Sequence, residues 1–414
     1  RDAQESRGLG DVYKRQRLRQ PIESAFWALL ILMLPFTSLP LLSRLAGGTM
    51  VAPASIIPLF VLILIFLLPV LLRGCGLPAQ TVALLAFALA AILSSGLSFF
   101  IDIPIFRDVH RLNNTLSALV TAAIGIGFYL LAVAWTDSTD KLARIYFWVN
   151  ISGLVIILWS LLQAVIWFTS QAYPDWLYQI QAWVSSSGNL YNRRVTGLAF
   201  EPSWLGHQLV LLYLPYCLAA TVRRTPAVPL RLWGLSMENV LLALGAGVLV
   251  LAFSRSAVIS FVLMLSLLLI QLTKHVVRSI QRKLHISTEG SKPATIRIRL
   301  AGAAIWAGVI ILYLALMAGL VFAATPLDTR MADLFTLLQR RLSFTELAYH
   351  LIFGERVIFW NAGLEVFSDH PIFGVGLGSA GFFFPEKINA FGWTVVEPFK
   401  IYYSSSLPNT LNLW

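Results

Sequence analysis

Runs of about 17–25 apolar residues recur from one end of this chain to the other, and each could cross a hydrocarbon core roughly 30 Å thick as an α-helix. A water-soluble core cannot absorb that many. Of 414 residues, 57% are hydrophobic and 12% are charged, against roughly 25% charged in an ordinary soluble protein. Two cysteines, Cys75 and Cys217, are too few for a disulfide scaffold and lack metal-site spacing, so neither receives a role. The net charge of +11 could suggest nucleic acid. Multi-pass proteins, however, concentrate Lys and Arg in cytoplasmic loops, so the surplus reads as a topology signal. The expected partner is a lipid bilayer, with no nucleic acid.

The fold class expected is all-α, a polytopic helical membrane protein with about nine spans. They lie near Ile22–Leu42, Val51–Leu72, Ala79–Phe100, Thr115–Trp135, Ile145–Phe168, Ser203–Thr221, Met237–Phe253, Ala257–Leu272 and Leu300–Ala323. Pro35 and Pro40 fall inside the first, which a bilayer helix tolerates where neighbours satisfy the freed carbonyls. Residues 1–20 read as a lead-in outside the native fold: Arg1–Gln16 has no helical or strand period and resembles translated sequencing-adapter sequence. Residues 21–323 form the membrane domain. Residues 324–414 form an outer helical loop, and the apolar run beginning at NTLNLW suggests a C-terminal helix missing after Trp414.

With the N-terminus in the cytoplasm, the inner loops hold Arg73, Lys141, Arg144, Arg223, Arg224 and Arg231, then a basic loop from Lys274 to Arg299. That matches the positive-inside rule. Met237–Leu272 could be one long helix or a pair turning back at FSRS, Phe253–Ser256. One helix would put the most basic loop outside, so the pair is favoured. Its members are then short, and Arg255 sits recessed at the turn.

Three constellations carry ionisable groups on the outer side. The first is RRVTGLAFEPSWLGH, Arg193 to His207. Pro202 suits a first helical turn, Glu201 stands at that helix start, and Ser203 and His207 share a face. An outward site of cation, carboxylate and imidazole competes with an interfacial anchor whose histidine is bonded within the bundle. The second is Arg255, a cavity-lining cation or a side chain that snorkels outward. The third runs from Glu355 to Pro385, where Arg356, Trp360 and Gly363 lie at helical spacing. Asp369-His370-Pro371 ends that helix. His370 could be a base oriented by Asp369, or a cation on the favourable end of the helix dipole. Gly374, Gly376 and Gly378 read as a tight turn under a packed surface, because no βαβ unit supports a dinucleotide site. The six histidines form no HExxH set and there is no Walker loop, so neither a metal nor a cofactor is expected.

These pieces, in this order, resemble the O-antigen ligase and O-antigen polymerase family of bacterial envelope glycosyltransferases. The matching stretches are RVTGLAFEPS (Arg194–Ser203), LAFSRSAVIS (Leu251–Ser260) and RVIFWNAGLEVFSDHPIFGVGLG (Arg356–Gly378). The resemblance implies a metal-independent transferase in the bacterial inner membrane, N-terminus cytoplasmic and active face periplasmic. Its donor would be a polyprenyl-diphosphate-linked oligosaccharide. Its acceptor would be a glycolipid: a lipid A core for a ligase, another lipid-linked repeat unit for a polymerase. Arg194, Arg255 and Arg356 would neutralise the diphosphate, since guanidinium forks match phosphate oxygens and stay charged. Glu201 or His370 would accept the acceptor hydroxyl's proton, and Trp360 and His207 would bind substrate. Family ligases carry an Asn/Ser-x-His-Asn element before the next span. Here SLPNTLNLW has Leu411 at the His position, which tilts the expectation towards a polymerase. A transporter or flippase of lipid-linked saccharide is the rival from another class. It would call for repeated halves and midplane charges.

Overall fold

The computed structural model describes residues 21–45, 52–74, 76–106, 109–228, 231–286 and 356–394, with isolated positions at 303–315 and at 346, 398 and 402. Among the described residues the chain is 74% helical. The only sheet there is a two-stranded antiparallel turn, β1 (Arg231–Leu232) with β2 (Leu235–Ser236).

The bundle comprises α1 (Pro21–Met33), α2 (Pro40–Leu45), α3 (Ile56–Leu72), α4 (Thr81–Phe100), α5 (Arg111–Trp135), α6 (Thr139–Ser170), α7 (Asp175–Val184), α8 (Pro202–Arg223), α9 (Met237–Leu251) and α10 (Arg255–Ile286). Beyond it come α11 (Arg356–Asp369), α12 (Ala380–Lys387) and α13 (Ala390–Trp393). Four helices, α4, α5, α6 and α8, are long and apolar enough to cross a membrane alone. The apolar stretches of α1, α3, α9 and α10 are helical but only 10–17 residues long. The ninth expected span, Leu300–Ala323, falls largely outside the described residues. The count of nine is therefore not reached here, whereas eight of the expected segments are helical.

α6 shows why the surrounding solvent is lipid. Val155, Leu158, Leu162 and Val165 form an exposed stripe at helical period, while Ile156, Ser160, Gln163 and Trp167 form the buried one. A helix in water places its polar side chains outward; this one hides a serine and a glutamine and shows leucine and valine. Exposed aliphatics cost nothing against acyl chains, whereas polar groups there would lack partners. α7 follows just beyond the end of α6. It buries Leu177 and Gln181 and exposes Trp176, Ile180 and Trp183, a division with aromatics outward that suits a membrane–water boundary.

Prolines shape the long helices. α1 stops at Met33, before Pro35, and the chain stays unwound to Leu39. The released carbonyls find neighbours. Gln208 Nε2 donates to Leu34 O at 2.7 Å, the Ala54 amide to Phe36 O at 3.0 Å and the Ser186 amide to Ser38 O at 2.8 Å. The π-helical turns Ile63–Leu67 in α3 and Leu209–Tyr213 in α8 each run up to a proline, Pro69 and Pro215. A widened turn absorbs the missing N–H without a sharp kink.

The main core joins α1, α3, α5, α6, α8 and α9 through fully buried Leu62, Leu131, Ile156, Leu209 and Val248. At the end of the bundle where α1 unwinds lie the loops carrying the three motifs. The opposite end carries Lys141, Arg144, Arg223, Arg224 and Arg231. There Glu238, wholly buried at the start of α9, accepts from Asn150 Nδ2 (2.9 Å), the Tyr216 hydroxyl (3.0 Å) and the Ala227 amide (2.9 Å).

Candidate functional site

The turn between α9 and α10 is the hub. α9 ends at Leu251, Phe253 takes a left-handed φ of 48°, and α10 begins at Arg255. The reversal at FSRS thus occurs where the loop charges called for it. Onto this turn comes the first motif. The Val195 amide donates to Leu251 O at 3.2 Å. Arg194 spreads its guanidinium over the same corner, Nε to Ala252 O at 3.3 Å and Nη2 to Phe253 O at 3.4 Å, with the ring of Tyr191 at 6.0 Å. Carbonyls at the end of a helix form its negative pole, so a cation there is favourable. Arg194 accordingly latches the first motif to the second, one residue short of Ser254 and two short of Arg255. The side chain of Arg255 lies outside what the structure describes.

Glu201 is the N-cap of α8, with extended backbone (φ −143°, ψ 159°) and Pro202 in the first turn. The Ser203 hydroxyl donates to its Oε2 at 3.3 Å. Tyr191 reports on how closely these groups stand. Burial pushes its phenol above the ordinary tyrosine value, the Glu201 carboxylate pushes it further up, and Arg194 draws it back. Carboxylate, phenol and guanidinium therefore share one electrostatic neighbourhood.

One turn into α8, Gly206 brings that helix hard against α10. A methyl group at Gly206 would lie 2.7 Å from Ala257 Cβ and 2.9 Å from Ser254 Cβ. The close approach lets His207 Nε2 reach the Ser256 hydroxyl at 3.3 Å. His207, half-buried, also feels the guanidinium of Arg356 electrostatically. Arg356 opens α11 and belongs to the third motif, about 150 residues further along the chain. Three stretches distant in sequence thus meet at one end of the bundle.

Trp360 lies one turn along α11 from Arg356 and is 53% exposed. His370 does not join the cluster. It follows the last residue of α11, and 14 helical residues span roughly 20 Å. Nor does Asp369 orient it: that carboxylate pairs with Lys387 Nζ at 2.6 Å, and this bond, more than His370, holds the Asp369 carboxyl below its usual range. The His370 ring instead tilts against Phe383, with centroids 5.7 Å apart.

The glycine turn after His370 docks on α4 and α5. Gly374, Gly376 and Gly378 all have positive φ. The Ser94 hydroxyl donates to Phe373 O, the Leu377 amide donates to Ser95 Oγ at 3.1 Å, and Asn114 Nδ2 donates to Gly378 O. This is the packed tight turn expected from the sequence, and it anchors α11 to the bundle.

Sequence reasoning missed Ser256, Gln163 and Tyr191. Ser256 and Gln163 carry a legible signal, a polar side chain inside an apolar run; Tyr191 carries none. Among the described residues, no three His, Cys, Asp or Glu side chains come together to hold a metal ion.

Residues 240–403 match a family described as O-antigen ligase. No curated protein and no solved structure matches the chain. The matched stretch contains the FSRS hub and the whole Arg356–Gly378 motif, and it supports the resemblance to the O-antigen ligase and polymerase family.

Proposed function

We propose that this O-antigen ligase-type membrane glycosyltransferase moves a glycan from a polyprenyl-diphosphate carrier at the extracytoplasmic end of the bundle. The observation that supports it is the meeting of Arg194, Glu201, His207 and Arg356 around the turn that leads into Arg255. In the reaction an acceptor hydroxyl attacks the anomeric carbon. The bond from that carbon to the diphosphate oxygen breaks, and polyprenyl diphosphate leaves with the electron pair. The negative charge grows on phosphate oxygens, where guanidinium groups do the work a divalent ion does elsewhere. The acceptor's proton passes to a base. Glu201 fits that role better than His370, because it shares the neighbourhood of Arg194 while His370 stands a helix length from Arg356. Trp360, exposed beside Arg356, supplies a flat apolar face for a sugar ring.

The charge pattern supports the orientation. The end opposite the motifs carries Lys141, Arg144, Arg223, Arg224 and Arg231, which the positive-inside rule assigns to the cytoplasm of the inner membrane.

Repeat-unit polymerisation is the reading we favour, on Leu411 standing where family ligases carry a histidine; that position lies outside the described residues. Ligation to a lipid A core is the second reading, favoured by the description of the matching family. Incubating the purified protein with a polyprenyl-diphosphate repeat unit separates them. Longer lipid-linked chains indicate a polymerase, and product on added lipid A core a ligase. Movement of intact donor across liposomes without product would support a transporter instead. Activity abolished by EDTA, or undiminished in Arg255→Ala, would overturn the guanidinium mechanism.

A further inference from the structure

The segment Val195–Ala199 is irregular backbone at membrane depth. Val195, Thr196, Leu198 and Ala199 are all buried, so their polar groups need protein partners. The outer ones find other acceptors: the Val195 amide on Leu251 O, the Ala199 amide on Thr196 O and the Phe200 amide on Thr37 Oγ1. The middle is served by one side chain. Gln163 lies in α6, seven residues before its end, hence about 10 Å below it. Its Oε1 accepts the Thr196 amide at 3.1 Å and the Gly197 amide at 2.9 Å, and its Nε2 donates to Gly197 O at 3.1 Å. The same Nε2 donates to Gln181 Oε1 of α7, also at 3.1 Å. A primary amide thus pairs with the chain as a neighbouring strand would. Nothing larger than glycine fits at position 197, where φ is +59° and a Cβ would lie 2.8 Å from Ser160 Oγ.

We propose that Gln163 is a positioning residue, the template that sets the Thr196–Gly197 backbone and so holds Arg194 on one side and Glu201 on the other at the site. The inference deepens the glycosyl-transfer reading and rests on it for its functional half. It differs from a packing role because it depends on the direction of hydrogen bonds rather than on volume. Leucine nearly fills the same space and makes none of them. Glutamate keeps the acceptor for both amides but turns a second oxygen towards two acceptors, Gly197 O and Gln181 Oε1. Only its protonated form can donate there.

Two readouts test this on the full-length protein in detergent. The first is glycan transfer from a polyprenyl-diphosphate repeat unit. Gln163→Leu is expected to lose about a hundredfold in kcat, the scale of a 1 Å misplacement, with KM little changed. Gln163→Glu is expected to recover relative to the parent protein as pH falls from 8 to 5.5. The second readout needs no substrate: disulfide formation between Val195→Cys and Leu251→Cys, with Cys75 and Cys217 replaced. Gln163→Leu should slow it, and Gln163→Glu should restore it on acidification, as a ratio to the parent. Loss of cross-linking in Gln163→Leu, alongside a parent that transfers no glycan, would sink the transferase reading and leave the positioning role standing. Normal cross-linking and transfer in Gln163→Leu would overturn the proposal. Should that variant fail to fold, a pH-independent ratio for Gln163→Glu would overturn it equally.

Discussion

Gly206→Ala adds one methyl group where α8 meets α10, and its effects on stability and on activity should diverge. The new Cβ would stand 2.7 Å from Ala257 Cβ and 2.9 Å from Ser254 Cβ, where carbon atoms settle at about 3.5–4.0 Å. Relief requires α8 and α10 to part by about 1 Å. Overpacking of this kind costs about 1–3 kcal/mol, and replacing a helical glycine by alanine returns up to about 1 kcal/mol. The net loss of stability is then about 0–3 kcal/mol, a few degrees in a detergent melt. A 1 Å shift at the site costs on the order of a hundredfold in rate, because His207–Ser256 and the hub carrying Arg194 lie directly on that contact. Thermal melts and initial rates of glycan transfer on the same preparations measure both. Gly247→Ala in α9 and Gly363→Ala in α11 serve as controls, since neither Cβ would meet an atom within 4 Å. Ala257→Gly on the Gly206→Ala background removes the nearest atom and should recover part of the rate. A Gly206→Ala protein as active as the Gly247→Ala control would refute the close packing of α8 on α10, and with it the geometry of the site.

Further outcomes follow from other contacts. Gly376→Ala forces a side chain into φ +87° and places a Cβ 2.5 Å from Ser98 Oγ; the turn should lift from α4, seen as faster hydrogen exchange across residues 370–380 with little change in the global melt. Glu238→Ala removes the acceptor shared by the buried Asn150 amide and by the half-buried Tyr216 hydroxyl and Ala227 amide; Asn150 keeps Tyr216 as a partner, and the other two lose theirs at about 1–3 kcal/mol each, so its melting temperature should fall well below that of Glu238→Gln, which keeps an acceptor. The Tyr191 phenol is raised by burial and by Glu201 and lowered by Arg194. Glu201→Gln should therefore bring its ionisation to lower pH and Arg194→Ala send it higher, read as ultraviolet difference titration against Tyr191→Phe. Opposite signs would place Glu201 away from that ring.

Periodicity and punctuation made much of the architecture readable. Pro202 began α8, Pro371 followed the end of α11, and loop charge alone chose a reversal at FSRS over one long helix; the first span, read as running helical through Pro35 and Pro40, instead breaks after Met33, because partners on neighbouring segments take up the freed carbonyls. The triple-glycine turn also took the form its composition required. Helix lengths were less readable, because the apolar stretch of a span says little about where hydrogen bonding stops: Thr139–Ser170 runs well beyond Ile145–Phe168. Of the site, Arg194, Glu201, His207 and Arg356 came together. The separation of His370 was legible in principle, since helical residues bridging it from Arg356 fix a distance. What no pattern announced was pairing across the chain: His207 with Ser256, Gln163 with Thr196 and Gly197, Asp369 with Lys387 instead of His370. Such partners depend on which faces meet after packing.

The break in α1 bears on how the protein is made. The carbonyl of Leu34 is satisfied by Gln208, 174 residues later in the chain. At ribosomal speeds of about 5–20 residues per second, roughly 10–35 s pass between the two leaving the ribosome. Until then the Leu34 carbonyl lacks the partner that α8 supplies. Gln208 and Glu201 stand on one helix, and the Phe200 amide beside Glu201 donates to Thr37 in the same unwound stretch, so the break in α1 and the start of α8 take their final form together.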